Sequence, residues 1–150
     1  MNSIEIIKAL SQVTQEAANP AGIPLDFDGN TGRDRDLYAR ATLEDIFPES
    51  RSIGDPNATQ HAAIGTWTVD IFMKDKNTGD APLINSAKVF ESKLSFACIK
   101  ITPSGTRIFI DHAPARTLPK TDGYVRMQIQ ASFRATGTAL LNPEIEIEIL

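Results

Sequence analysis

His61, His112 and the single cysteine Cys98 are the side chains of this 150-residue chain best suited to nucleophilic attack or proton transfer near neutral pH. Their spacing gives them no catalytic company. No Gly-x-Ser-x-Gly elbow, no Gly-x-x-x-x-Gly-Lys phosphate loop and no Gly-x-Gly-x-x-Gly fingerprint occurs. One cysteine and two distant histidines cannot furnish the four ligands of a structural zinc site. Cys98, inside Phe96-Ala97-Cys98-Ile99, is expected to act as a small buried hydrophobe. Asp26-Phe27-Asp28-Gly29-Asn30 reproduces the first three ligand positions of a calcium loop. The pattern then fails, with Thr31 where a glycine must turn and Leu37 where a bidentate glutamate must close the shell, so a polar turn is expected. Three basic–aromatic pairs, Tyr38 with Arg40, Tyr124 with Arg126 and Phe133 with Arg134, lie on different strands and read as solvated strand faces. The expectation is a protein that is not an enzyme, with no cofactor and no metal.

Composition narrows the class. A hydrophobic fraction of 41% and a charged fraction of 23% suit one globular domain. The net charge of −4 argues against a general nucleic-acid binder, which needs a basic surplus to hold phosphates. The first residues lack a basic-then-apolar secretory signal, and no apolar run approaches the ~20 residues of a membrane span. Cytosolic synthesis is expected.

The elements that carry these residues follow from periodicity. Asn2 and Glu5 have capping-box spacing, and Ile6, Leu10, Val13 and Ala17 form one helical stripe that Asn19-Pro20 and Gly22 should stop. Leu37, Ala39, Ala41 and Leu43 alternate with Tyr38, Arg40 and Thr42 as a strand. Residues 48–63 show no clear period and read as an irregular connection or a long hairpin arm. Trp67, Val69, Ile71 and Met73 mark the next strand. Asp80 is positioned to cap a second helix with Leu83, Ala87, Phe90 and Leu94 inward. Ile99 to Thr102 and Thr106 to Asp111 should form a hairpin through Pro103-Ser104-Gly105. His112 to Asp122 reads as a linker, and Tyr124 to Ala135 as the longest strand. Glu144 to Ile149 alternates strictly and needs a sheet edge, in its own chain or a neighbour's. Together these predict an α+β fold: a mixed, mostly antiparallel sheet with two helices packed on one face and a long irregular or hairpin arm. Trp67, Ile71, Phe90, Leu94, Ile129 and Phe133 are the expected core.

One order of segments is distinctive. A leading helix ends in Asn-Pro-Ala-Gly-Ile-Pro, and Leu37-Tyr38-Ala39-Arg40-Ala41-Thr42-Leu43 runs into the arm. Gly65-Thr66-Trp67-Thr68-Val69-Asp70-Ile71-Phe72 follows, then a helix with Ala87 and Phe90, a hairpin, and Asp122-Gly123-Tyr124-Val125-Arg126 running to Phe133-Arg134-Ala135. This resembles the tail terminator (tail completion) proteins of long-tailed bacteriophages, in which a "G-x-[WY]-x-V-x-[IV]-F" strand and a late "G-[WY]-x-R" strand recur. The resemblance spans residues 3–136 of a domain placed at 1–136, and the Glu/Ile tail in 137–150 departs from it.

The resemblance implies a structural virion protein of the tail, made in the host bacterial cytoplasm. It would form a homo-oligomeric ring, a hexamer, that caps the tail tube, ends its polymerisation and offers a surface to a head connector or neck protein. DNA would pass through the channel without specific binding, and no membrane is involved. Loops 28–36 and 48–63 and the linker 112–122 are then the candidate contacts, with Arg33, Asp34, Arg35, Arg51, Asp55, His61, Arg116, Lys120 and Asp122 as candidate interface residues. The alternatives are a head–tail connector of the same phage class and, from another class, a small ligand-binding or enzymatic α+β domain.

Overall fold

A computed structural model describes residues 3–27, 35–50, 60–76, 79–102, 104–138 and 146–150. The chain is α+β. Helix α1 (Ser3–Ala21) leads into a short strand β1 (Leu25–Phe27), then β2 (Leu37–Ser50) and β3 (Gln60–Lys74). Helix α2 (Ala81–Leu94) is followed by β4 (Cys98–Thr102), β5 (Thr106–Ile110), β6 (Ala115–Thr121), β7 (Tyr124–Thr138) and β8 (Glu146–Ile149). The strands form one sheet in the order β1-β2-β3-β7-β5-β4-β8, with β6 also paired to β7. Only the β1–β2 pairing is parallel among the described strands.

Both helices lie on one face because both carry a single apolar stripe. Ile6, Leu10, Val13 and Ala17 of α1 and Leu83, Ala87, Phe90 and Leu94 of α2 are buried against Ala39, Ala41, Trp67, Val69, Ile71, Ile129, Ala131 and Phe133 of the sheet. Trp67 stays deep without stranding its indole N–H, which donates to Thr14 Oγ1 at 2.9 Å, while that hydroxyl donates to the Leu10 carbonyl at 2.7 Å. Two helix-end expectations change in detail. Pro20 does not stop α1, which runs one residue further and closes with Gly22 N–H on Asn19 and Ile23 N–H on Ala18. Asp80 holds the N-cap position of α2, yet its side chain makes no capping bond.

Glu5, read as half of a capping box, is buried and its Oε1 accepts from Thr106 Oγ1 at 2.6 Å and Ser104 Oγ at 3.3 Å. Asn2 lies outside the described residues. The carboxylate thus ties the first turn of α1 to the β4–β5 hairpin, a contact that local sequence spacing cannot reveal.

Three strand readings are extended or corrected. The described ends of the 48–63 segment, residues 48–50 and 60–63, belong to paired strands: β2 and β3 stay paired from Leu37↔Met73 to Ser50↔His61, with a bulge between Leu43 and Asp45, and residues 51–59 lie outside the described residues. The supposed linker 112–122 contains β6, which pairs with β7 from Ala115↔Ile129 to Leu118↔Arg126. Its identity was hidden by Pro119, which sits at a register irregularity, and by the absence of alternating burial. Asp122 and Gly123, both at positive φ, make the tight turn into β7; Asp-Gly is the strongest short hairpin signal in this region. Cys98 is half-buried rather than buried, because it alternates with Ile99, which takes the core side.

The C-terminal strand pairs at home. Ile147 and Ile149 of β8 pack on the core, and Glu148 stands opposite Lys100 on the other face. Removing residues 146–150 is expected to lower the unfolding free energy of the monomer by about 2 kcal/mol, from two half-buried isoleucines and one lost strand pairing. Urea denaturation at low protein concentration reads this directly, and an unchanged midpoint would place the strand elsewhere.

Candidate functional site

The face of the sheet away from the helices collects the polar half of every strand. Alternation puts Tyr38 and Arg40 of β2, Asp70 and Phe72 of β3, and Tyr124, Arg126 and Gln128 of β7 on this side. Since β2, β3 and β7 are neighbours, residues far apart in the chain become one row after another. One row runs Asp26, Arg40, Asp70, Gln128 and Arg116 across five strands; the next runs Tyr38, Phe72, Arg126 and Leu118.

Tyr38, Phe72 and Tyr124 form a second small core on this face. Tyr38 stacks on Phe72 with ring centroids 4.8 Å apart and planes 14° from parallel. Tyr124 meets both edge-on, 5.7 Å from Tyr38 and 6.2 Å from Phe72, and its hydroxyl donates to the Arg35 carbonyl at 3.1 Å. Edge-to-face and offset stacking are the arrangements the ring quadrupoles favour. Two guanidinium groups lie over Phe72, Arg40 at 5.5 Å and Arg126 at 5.1 Å from the ring centroid. The same residues, with Thr121 and Asp122, line an open cavity of about 390 Å³.

Charge around this cavity is unevenly satisfied. Asp70 Oδ1 accepts from Gln128 Nε2 at 3.0 Å and from Arg126 at 3.4 Å, so one carboxylate is shared. Gln128 in turn accepts from Arg116 at 2.7 Å. Arg126 Nε is buried without a hydrogen-bond partner, and Arg40 has no ion-pair partner among the described residues. A second cavity of about 420 Å³ lies on the same face near the base of the arm, lined by Asp45, Ile64, Thr66, Phe109, Ser132 and Arg134. Ile64 and Phe109 are both more than a third exposed there.

The candidate interface residues that are described do not converge on one place. Arg33, Asp34, Arg51 and Asp55 lie outside the described residues, and His61 is placed by its backbone in β3, opposite Gly137. Arg35 pairs with the buried Asp26 at 3.1 Å, which occupies the first oxygen of the calcium-like segment; Asp28 and Asn30 lie outside the described residues. Arg116 is tied to Gln128, and Lys120 to Asp75 at 2.7 Å. The hydrogen bond to Asp75 raises the Lys120 ammonium above its ordinary pKa, and the one from Lys76 holds the Asp36 carboxyl below its own. By sign, the first pair is lost only as pH rises past the lysine range and the second only as pH falls below the carboxylate range. Of those that are described, only Asp122 is found in the lining of the aromatic cavity.

Arg40 and Arg126 meet over one ring on this face. Their pairs with Tyr38 and Tyr124, read as separate strand faces, are one cluster. The signal was present as a repeated Tyr-x-Arg, since a spacing of two puts both side chains on one face of a strand. Phe133 and Arg134 do separate: the ring is in the helix-side core and the arginine on the open face. His112 is exposed and stacks on Phe96 at 5.7 Å, and no group of three metal-ligating side chains occurs among the described residues.

The fold recurs among solved structures. One of them, whose name carries no functional word, superposes with a TM-score of 0.62 at 14% identity, covering 96% of this chain and 99% of that one. At this identity the likeness shows the fold alone. No family model and no curated protein matches the chain.

Proposed function

We propose that the protein is a structural subunit of a phage tail, a terminator-like protein that closes into a ring on the end of the tail tube, stops its growth and presents a surface for head attachment. The observation that carries this reading is the sheet face left uncovered by the helices. It gathers two guanidinium groups, a packed aromatic trio and the exposed Ile64 and Phe109 on one side of a subunit whose β2 and β3 stay paired as far as Ser50↔His61. Mixed apolar and arginine-rich surface is the composition of contact sites between proteins. The order of segments resembling tail terminators supports the same reading. A closed ring also requires each subunit to offer two different surfaces, and an arm and an open sheet face supply two.

The test is assembly. Native mass spectrometry and negative-stain microscopy of the purified protein, alone and mixed with tail tube from the encoding phage, should show closed rings, alone or seated on tube ends. A particle lacking the protein should build tails of uncontrolled length. Heads that leak on tails of normal length would indicate a connector instead, and a monomer that ignores tube ends would remove the proposal.

A further inference from the structure

We infer that the arginine-framed cavity receives the acidic bulge of a second copy, with Glu44 and Asp45 of one protomer entering beside Arg40 and Arg126 of the next. The inference rests on the ring reading and names its contact.

The cavity is built for an anion. Arg40 and Arg126 are held over Phe72, and the stacked and edge-on rings beneath them fix where the guanidinium groups sit. Preorganised donors bind with less ordering cost than free ones. Their hydrogen-bonding capacity is only partly spent: Arg126 makes long bonds of 3.4 Å to Asp70 and to Thr121 Oγ1 while its Nε is buried and unpartnered, Arg40 has no carboxylate among the described residues, and Asp70 is divided between Arg126 and Gln128. Asp122, the carboxylate in the lining, is exposed to water on its turn. A carboxylate entering from outside satisfies the arginines in the geometry that guanidinium prefers.

The acid is on the same strand. The bulge in β2 falls at Glu44, and Glu44 and Asp45 are both exposed, adjacent and without an ion pair among the described residues. A bulge interrupts the alternation of a strand and re-aims its side chains. The sequence from 44 to 59 carries Glu44, Asp45, Glu49 and Asp55 against Arg51 alone, so the arm as a whole repels itself and attracts cations. Arg40 and Glu44 are about 13 Å apart along β2 at ~3.3 Å per residue, too far to meet within one chain. One subunit therefore presents a cationic recess and, displaced along the strand, an exposed acidic pair. Two different complementary patches make the head-to-tail contact from which rings close.

Sedimentation velocity and native mass spectrometry of four variants test this. Arg40→Glu alone, and Glu44→Lys with Asp45→Lys, should each weaken assembly at least about tenfold, as close interfacial charge pairs do when reversed. Combining all three substitutions should restore assembly, and Arg107→Glu, elsewhere on the same face, should leave it intact. Circular dichroism melts establish that each variant is folded. If wild type forms rings and folded Arg40→Glu forms them equally well, or the triple variant fails to recover, this contact is wrong while the ring reading stands. A wild-type protein that stays monomeric with tail tube overturns both.

Discussion

Phe90→Ala is expected to lower the unfolding free energy by about 3–5 kcal/mol. The ring is fully buried on α2 with Leu83, Ala87 and Leu94, and it belongs to the same core as Trp67, Ile71 and Ile129 of the sheet. Truncation removes the transfer free energy of a phenyl group and leaves a void that helix and sheet cannot close together, because each is held by its own backbone bonds. Single domains of this size have only about 5–15 kcal/mol in total, so the variant should retain a cooperative transition at a much lower urea midpoint. A midpoint within error of wild type would mean that α2 does not dock as described.

The second large effect comes from adding atoms. Gly65→Ala is expected to cost about 3 kcal/mol, near the top of the range for overpacking. A Cβ at Gly65 would fall 2.3 Å from the Asp45 carbonyl oxygen and 2.7 Å from Phe133 Cζ. The first neighbour is main chain, beside the bulge at Glu44, so it cannot swing aside as a side chain would. The second is a buried ring that uses the missing side chain of its cross-strand partner as its seat. Thermal melts should show a large loss for Gly65→Ala, and Gly65→Ala with Phe133→Leu should recover only the part due to the ring. Full recovery would place the whole clash on the side chain and contradict the backbone contact.

Much of the framework could be read from residue order because its information is local. The stripe Ile6-Leu10-Val13-Ala17 and the alternation from Val125 to Ala135 each specify a buried face within a single element. What escaped depends on contacts between elements. Glu5 looked like a cap because its three-residue spacing from Asn2 is visible, whereas Thr106 lies a hundred positions away. Strand β6 escaped because Pro119 breaks its pairing and its side chains face solvent on an outlying position, giving no period to detect. The candidate site was legible only in fragments. Tyr38-Ala39-Arg40 and Tyr124-Val125-Arg126 announce two half-sites, but their union requires β3 to lie between them and contribute Phe72 and Asp70. Lys120, a candidate contact through its place in the 112–122 segment, is tied in the structure to a neighbouring acid.

The position of β7 has a kinetic consequence. It is the partner of β3 along its whole length, from Lys74↔Tyr124 to Gln60↔Thr138, so the middle of the sheet joins regions distant in the chain. The β2–β3 hairpin is contiguous and can zip early, but one margin of β3 then waits unpaired through the synthesis of α2, β4, β5 and β6. Refolding should accordingly be limited by the arrival of β7, on the millisecond-to-second scale of non-local β topologies rather than the microseconds of helical bundles. During that wait the hairpin is the part of the nascent chain most open to capture by a neighbouring polypeptide.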